Sequence, residues 1–99
     1  MKKRTLTNHD LWLNDQLQDV EFAAEFLNAA MEDDDPQVYL LALRKVVDAR
    51  CGIKAIAEQY DLSRETLYRT LSEKGNPTLK TLNAVFKATG LEMHVNPMR

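Results

Sequence analysis

Residues 53–71 read IKAIAEQYDLSRETLYRTL, and this stretch decides the fold that the sequence predicts. In its first half, apolar residues recur at the spacing of one helix face: Ile53, Ile56, Ala57 and Tyr60. In its second half, Leu67 and Leu71 form an i, i+4 apolar pair behind Ser63, a residue type that favours a helix N-cap. Asp61 stands between the halves, where the backbone has to turn sharply, and Asp tolerates a left-handed conformation better than most residues. The pattern predicts two short helices joined by a tight turn.

The second of these helices has a polar outer face. With its leucines turned inward, the side chains left outside are Arg64, Glu65, Tyr68 and Arg69. Two such helices describe a helix-turn-helix, whose second helix can enter a DNA major groove. A pair of amphipathic helices in any small helical domain has the same spacing, so that alternative stays open. The small Ala57 at the expected helix crossing, and two arginines against one acid on the outer face, favour DNA binding.

The charge is unevenly distributed along the chain, although the net charge is only −2. Residues 1–50 carry six Lys and Arg against ten Asp and Glu, whereas residues 51–99 carry seven against five. This division predicts a mildly basic patch on the C-terminal half and an acidic half turned elsewhere. Because the patch is modest, we expect a monomer to bind DNA weakly and with strong salt dependence, so that tight binding needs a homodimer or an added arm.

Several functional classes are disfavoured. No apolar run approaches the roughly 18 residues of a membrane span, and no apolar segment follows the basic residues 2–4, so we expect neither a membrane anchor nor a signal peptide. Cys51 is the single cysteine, which excludes a disulfide scaffold and a cysteine-rich zinc site. No Gly-rich phosphate loop or nucleophile–base pair stands out, so we expect no enzyme, no catalytic residue, no metal and no cofactor. We expect a cytoplasmic protein.

Periodicity predicts three more helices: Val20 to Met31, Pro36 to about Arg50, and Pro77 or Thr78 to Gly90. The acidic run before Pro36 lacks the alternation, glycine and distal glutamate of a calcium loop, and predicts a turn with Asp35 as N-cap. Residues 91–95 alternate apolar and polar, which predicts a short strand. The predicted fold is all-α, with five helices and a C-terminal β-strand. Residues 1–16 are predicted as an N-terminal arm and residues 17–99 as the helix-turn-helix domain, with its recognition helix at about 63–72.

Within the arm, Leu11, Trp12 and Leu13 form an apolar knot among polar neighbours. The knot either folds back onto the core or anchors a partner protein, since buried aromatic side chains dominate many interfaces. The sequence leaves both alternatives open.

Two stretches resemble known families. Residues 62–82, LSRETLYRTLSEKGNPTLKTL, resemble the recognition region of the lambda-repressor-like, Cro/XRE-type helix-turn-helix proteins. With a helical extension before it, the stretch from residue 42 to 95 is similar to the antidote proteins of bacterial addiction modules, close to HigA-like antitoxins. This resemblance implies a lambda-repressor-like domain in a cytoplasmic antitoxin that binds and neutralises a RelE/ParE-superfamily toxin and represses its own operon. The alternative is a free-standing, phage-like Cro/XRE repressor without a toxin partner. A protein-interaction domain without DNA binding also remains open.

For operator DNA, the predicted base-contacting residues are Arg64, Glu65 and Arg69, because arginine can chelate guanine and glutamate can accept from cytosine. Residues expected to hold the phosphate backbone on either side are Lys54, Ser63, Lys74, Asn76, Thr78 and Lys80, and Tyr68 is either a further phosphate donor or an aromatic residue at the edge of the core. For the toxin, the acidic first fifty residues suit a basic partner. The apolar anchor that this protein offers to the toxin is either the knot at residues 11–13 or the predicted strand at residues 91–95.

Overall fold

The computed structural model describes residues 6–72 and 74–98, and these residues form six α-helices. The helices are α1 (Asn8–Gln16), α2 (Val20–Met31), α3 (Pro36–Arg50), α4 (Ile53–Gln59), α5 (Arg64–Thr70) and α6 (Leu79–Thr89). The prediction of an all-α fold is confirmed. The predictions of five helices and of a C-terminal strand are wrong, since the described ranges contain a sixth helix and no strand.

The additional helix is α1, which occupies most of the predicted N-terminal arm; residues 1–5 of that arm lie outside the described residues. It begins with a capping box. The backbone N–H of Asp10 donates to the Thr7 hydroxyl oxygen at 3.0 Å, and the Thr7 N–H donates to the Asp10 carboxylate at 3.0 Å. Leu13 is the one buried residue of α1. The helix therefore has no apolar stripe, and hydrophobic periodicity did not detect it.

The segment after α6 forms no strand although its side chains alternate. A strand is defined by its hydrogen bonds to a second strand, and the described part of the chain offers only helices beside it. The segment starts instead as a helix C-cap. Gly90 has a left-handed backbone with φ 81°, and the Leu91 N–H donates to the Phe86 carbonyl at 2.9 Å. This geometry is a glycine C-cap, at the residue where the sequence predicted the helix to end.

The core is centred on α3, which packs against α1, α2 and α6. Leu43, Val46 and Val47 of α3 are fully buried. Each such side chain stabilises the fold by about 1.5–3 kcal/mol. The same core continues into α4 and α5 through buried Ile56 and Leu67. The breadth of the apolar surface on α3, visible in the sequence, is explained by this central position.

Arg50 connects the ends of three helices. Its guanidinium donates to the carbonyl oxygens of Leu17 at 3.2 Å and Gln18 at 2.7 Å, just beyond α1, and to that of Thr89 at 2.7 Å, at the end of α6. These carbonyls lie at or just after the C-terminal ends of helices, where carbonyl groups have no partner within their own helix. A positive charge is also favourable beside helix C-termini.

Within residues 6–72 and 74–98, no helix is long and apolar enough to cross a membrane.

Candidate nucleic-acid interface

The turn between α4 and α5 has the conformation that the sequence demands. Asp61 has φ 52°, the one positive φ outside glycine in the described part of the chain. The next residue closes the turn, since the Leu62 N–H donates to the Ala57 carbonyl at 2.9 Å. Ala57 is buried where α4 meets its neighbours, and its small side chain allows the close approach. The α4–turn–α5 unit is thus a tightly connected pair of short helices.

The candidate recognition helix α5 begins at the predicted N-cap. The Thr66 N–H donates to the Ser63 hydroxyl oxygen at 3.2 Å. Leu67 is 1% exposed and Leu71 is fully buried, so both fix one side of the helix to the core. The three predicted base-contacting residues Arg64, Glu65 and Arg69 are all exposed. Glu65 and Arg69 lie away from the two leucines, whereas Arg64, three residues before Leu67, projects from the first turn of the helix. This surface can offer two guanidinium groups and one carboxylate to base edges.

Tyr68 lies at the border between this surface and α3. Its ring is about half exposed, and the guanidinium of Arg44 lies 4.9 Å from the ring centroid. Arg44 also donates through Nε to both carboxylate oxygens of Asp48, at 3.0 and 3.1 Å. Sequence reasoning missed Arg44, because nothing in its local pattern indicates that α3 brings it beside α5. Its charge is partly neutralised by Asp48, so it adds a weak positive potential to the site.

The connection from α5 to α6 is folded against the end of α5. The Ser72 hydroxyl donates to the Arg69 carbonyl at 2.7 Å, and the Gly75 N–H donates to the Ser72 carbonyl at 2.8 Å. A Cβ atom at Gly75 would overlap the Thr70 carbonyl group and lie 2.8 Å from the Arg69 carbonyl oxygen. Only glycine permits this approach of two backbones. Gly75 therefore fixes where the residues of α6 start relative to α5.

Thr78 is the N-cap of α6. Its hydroxyl oxygen accepts from the Thr81 N–H at 3.1 Å, and the hydroxyl donates to the Thr81 Oγ1 at 3.2 Å. The Thr78 hydroxyl is thus already engaged, although sequence reasoning assigned it to a phosphate. The remaining predicted backbone-contacting residues Lys54, Lys74, Asn76 and Lys80 are exposed.

The three residues of the apolar knot divide between surface and core. Leu13 is buried, so its side chain is used for the packing of α1. Leu11 is exposed, and Trp12 is 51% exposed. Trp12 stacks on the His9 ring at 5.7 Å between centroids and meets the edge of the Phe22 ring at 6.1 Å. The knot therefore leaves one supported aromatic side chain at the surface.

Comparison with known proteins gives the family. A family model described as "probable addiction module antidote protein" matches residues 6–97. A relative from Haemophilus influenzae, described only as an uncharacterized protein, is 33% identical over 96 residues, covering 88% of this chain and 98% of the relative. No solved structure gives a significant match. Since the family model spans nearly the whole sequence, the chain belongs to the family of probable addiction module antidote proteins, and that membership implies a toxin partner.

Proposed function

We propose that this protein is the cytoplasmic antitoxin of a type II toxin–antitoxin module. It binds a RelE/ParE-superfamily toxin directly, and as a homodimer it binds operator DNA and represses its own operon. The antidote family supports the toxin-neutralising half. The DNA-binding half rests on one observation: Arg64, Glu65 and Arg69 of α5 are all exposed, while Leu67 of the same helix is buried.

In this proposal α4 and α5 act as a helix-turn-helix, with α5 in the major groove. Arg64 and Arg69 would chelate guanines through O6 and N7, and Glu65 would accept from a cytosine amino group. The phosphate backbone would be held on both sides by Lys54, Ser63, Tyr68, Lys74, Asn76, Thr78 and Lys80. For Thr78, the backbone N–H groups at the start of α6 are the better donors, because its hydroxyl already serves the N-cap.

The test of the DNA-binding half is a gel-shift titration with the promoter region of the protein's own operon at fixed salt. Arg69→Ala removes one guanidinium from the exposed side of α5 and leaves the buried Leu67 in place. Loss of a bidentate arginine–guanine contact costs about 1–3 kcal/mol, so we expect operator affinity to fall roughly 5- to 150-fold. Lys45→Ala is the matched control, since it removes one positive charge from α3. Equal affinity of Arg69→Ala and the unsubstituted protein would contradict this docking.

The toxin-neutralising half is tested by co-expression with the product of the neighbouring reading frame. An antitoxin forms a complex with that product and restores growth, whereas a free-standing repressor shifts promoter DNA and does neither. An antidote acts by binding, and we expect no enzymatic activity. Growth arrest that persists in the presence of this protein would contradict the antitoxin assignment.

A further inference from the structure

An apolar groove runs along the outside of the molecule between α2, the end of α6 and residues 91–96. Its volume is about 510 Å³. The buried side chains of Leu27 and Phe86 form its floor. Two methionines border it while largely open to solvent, Met31 at 65% and Met93 at 45% exposure. Methionine is flexible and polarisable, and surfaces that adapt to a partner use it often.

An acidic run of the chain lies between two residues that line the groove. The run from Glu32 to Asp35 connects α2 to α3 between the groove residues Met31 and Tyr39, and all four of its residues are exposed. Two hydrogen bonds hold this run in place. The Asp35 N–H donates to the Asp33 carboxylate at 2.8 Å, and the Gln37 N–H donates to the Asp35 carboxylate at 2.9 Å. Negative charge held in place by these bonds therefore follows directly after Met31.

The lining of the groove adds a further negative charge. Glu92 lines the groove and is exposed, and its carboxylate lies 3.0 Å from the imidazole of His94. Among the described residues that line the groove, none is lysine or arginine. An apolar centre with a charged rim is the arrangement of a protein interface. Here the carboxylates of Glu92 and of the run after Met31 make the charge around the groove negative.

We infer that this groove binds the toxin, through a segment that carries apolar side chains flanked by lysine or arginine. The inference rests on the proposed toxin-neutralising function. Complementarity selects this occupant, because the acidic rim attracts a cationic segment and repels DNA phosphates. A second copy of the chain is disfavoured as well. A two-fold interface uses the same patch on both subunits, so both sides of it would carry the same excess of negative charge.

The experiment measures the affinity of this protein for the product of the neighbouring reading frame by calorimetric titration. Met31→Ser removes an apolar side chain from the lining of the groove. Because Met31 is largely exposed, the fold should be unaffected. We expect its affinity to fall about tenfold or more, as for a central interface residue. Leu79→Ser, at an exposed apolar position of α6 outside the groove, is the matched control and should bind as the unsubstituted protein does, whereas Leu11→Ser tests the rival anchor at residues 11–13.

The charge is tested by the double variant Glu32→Lys/Asp34→Lys. Neither carboxylate accepts a hydrogen bond within the described part of the chain, and a lysine at the C-terminal end of α2 is favourable for the helix. We expect at least a tenfold loss of affinity at low salt that shrinks as salt rises. Asp15→Lys on α1 is the charge control.

The outcomes separate the two claims. If the unsubstituted protein binds and both groove variants bind equally well, the groove assignment is overturned and the antitoxin function stays intact. Loss of binding in Leu11→Ser alone would overturn it in favour of the aromatic surface around Trp12. A shift of Met31→Ser from dimer to monomer in sedimentation, with toxin affinity unchanged, would make the groove a contact between copies. Absence of any binding by the unsubstituted protein would overturn the proposed function and this inference with it.

Discussion

Replacing Arg50 by alanine should destabilise the fold more than any other substitution of a charged residue described here. The side chain donates three hydrogen bonds to main-chain carbonyls, at 2.7, 2.7 and 3.2 Å. Two of these carbonyls follow α1 and the third ends α6, so the loss releases two helix ends at once. Alanine leaves those carbonyls to water or without a partner.

The magnitude follows from these bonds. A hydrogen bond that involves a charged group contributes about 1.5–3 kcal/mol, and part of this is recovered when water hydrates the freed carbonyls in the folded variant. We therefore expect a loss of about 3 kcal/mol in the free energy of unfolding rather than the sum of three full bonds. In a domain of this size, this loss lowers Tm by roughly 12 to 24 °C.

The assay is thermal and urea unfolding followed by circular dichroism at 222 nm. Arg50→Lys keeps the charge but loses the planar guanidinium with its several N–H donors, so its stability should lie between those of the unsubstituted protein and Arg50→Ala. Arg69→Ala is the matched control, because that arginine is exposed on α5 and its loss should change stability by at most about 0.5 kcal/mol. A loss in Arg50→Ala of less than about 1 kcal/mol, as small as that of an ordinary surface residue, would refute the linking role of Arg50.

Three further predictions concern single positions. Gly75→Ala should cost about 3 kcal/mol or more in urea unfolding, because the new Cβ meets the Thr70 backbone; unchanged stability would show that the α5–α6 loop lies elsewhere. Asp61→Ala should lose about 1 kcal/mol while Asp61→Gly retains stability, since φ is 52° there; equal stability of the two variants would argue against the left-handed turn. Burial raises the pKa of the Tyr39 phenol above 10.0, so the folded state holds that proton more tightly and stability falls as pH rises above about 10. Tyr39→Phe should lessen this alkaline loss in unfolding curves from pH 8 to 11, and parallel curves would contradict it.

Local signals in the sequence were sufficient to predict much of the helical structure. Asp35 with Pro36 starts α3, Ser63 starts α5, and Gly90 ends α6, each by the side-chain or backbone chemistry expected of that residue. These signals act within one turn of helix, so they can be read without knowing the tertiary structure. The left-handed Asp61 belongs to the same class.

The predictions were wrong or incomplete where the structure depends on residues distant in sequence, or on a sequence signal weaker than hydrophobic periodicity. Helix α1 has no apolar stripe, and its evidence was the Thr7–Asp10 capping box, which periodicity ignores. The alternation in residues 91–95 indicated a strand, but alternation alone supplies no second backbone, and the side chains line a groove instead. The contact between Arg44 and Tyr68 joins two helices that are far apart in sequence, so no local pattern predicts it.

The candidate DNA-binding surface also depends on the core for its existence. Helices α4 and α5 have seven residues each, and isolated helices this short do not persist in water. Their stability comes from buried contacts such as Ile56 and Leu67. A substitution that unfolds the core therefore abolishes DNA binding without touching a base. Loss of binding indicates a base contact only when the folded fraction is unchanged, so Arg69→Ala tests the surface, whereas Ile56→Ala tests only the support beneath it.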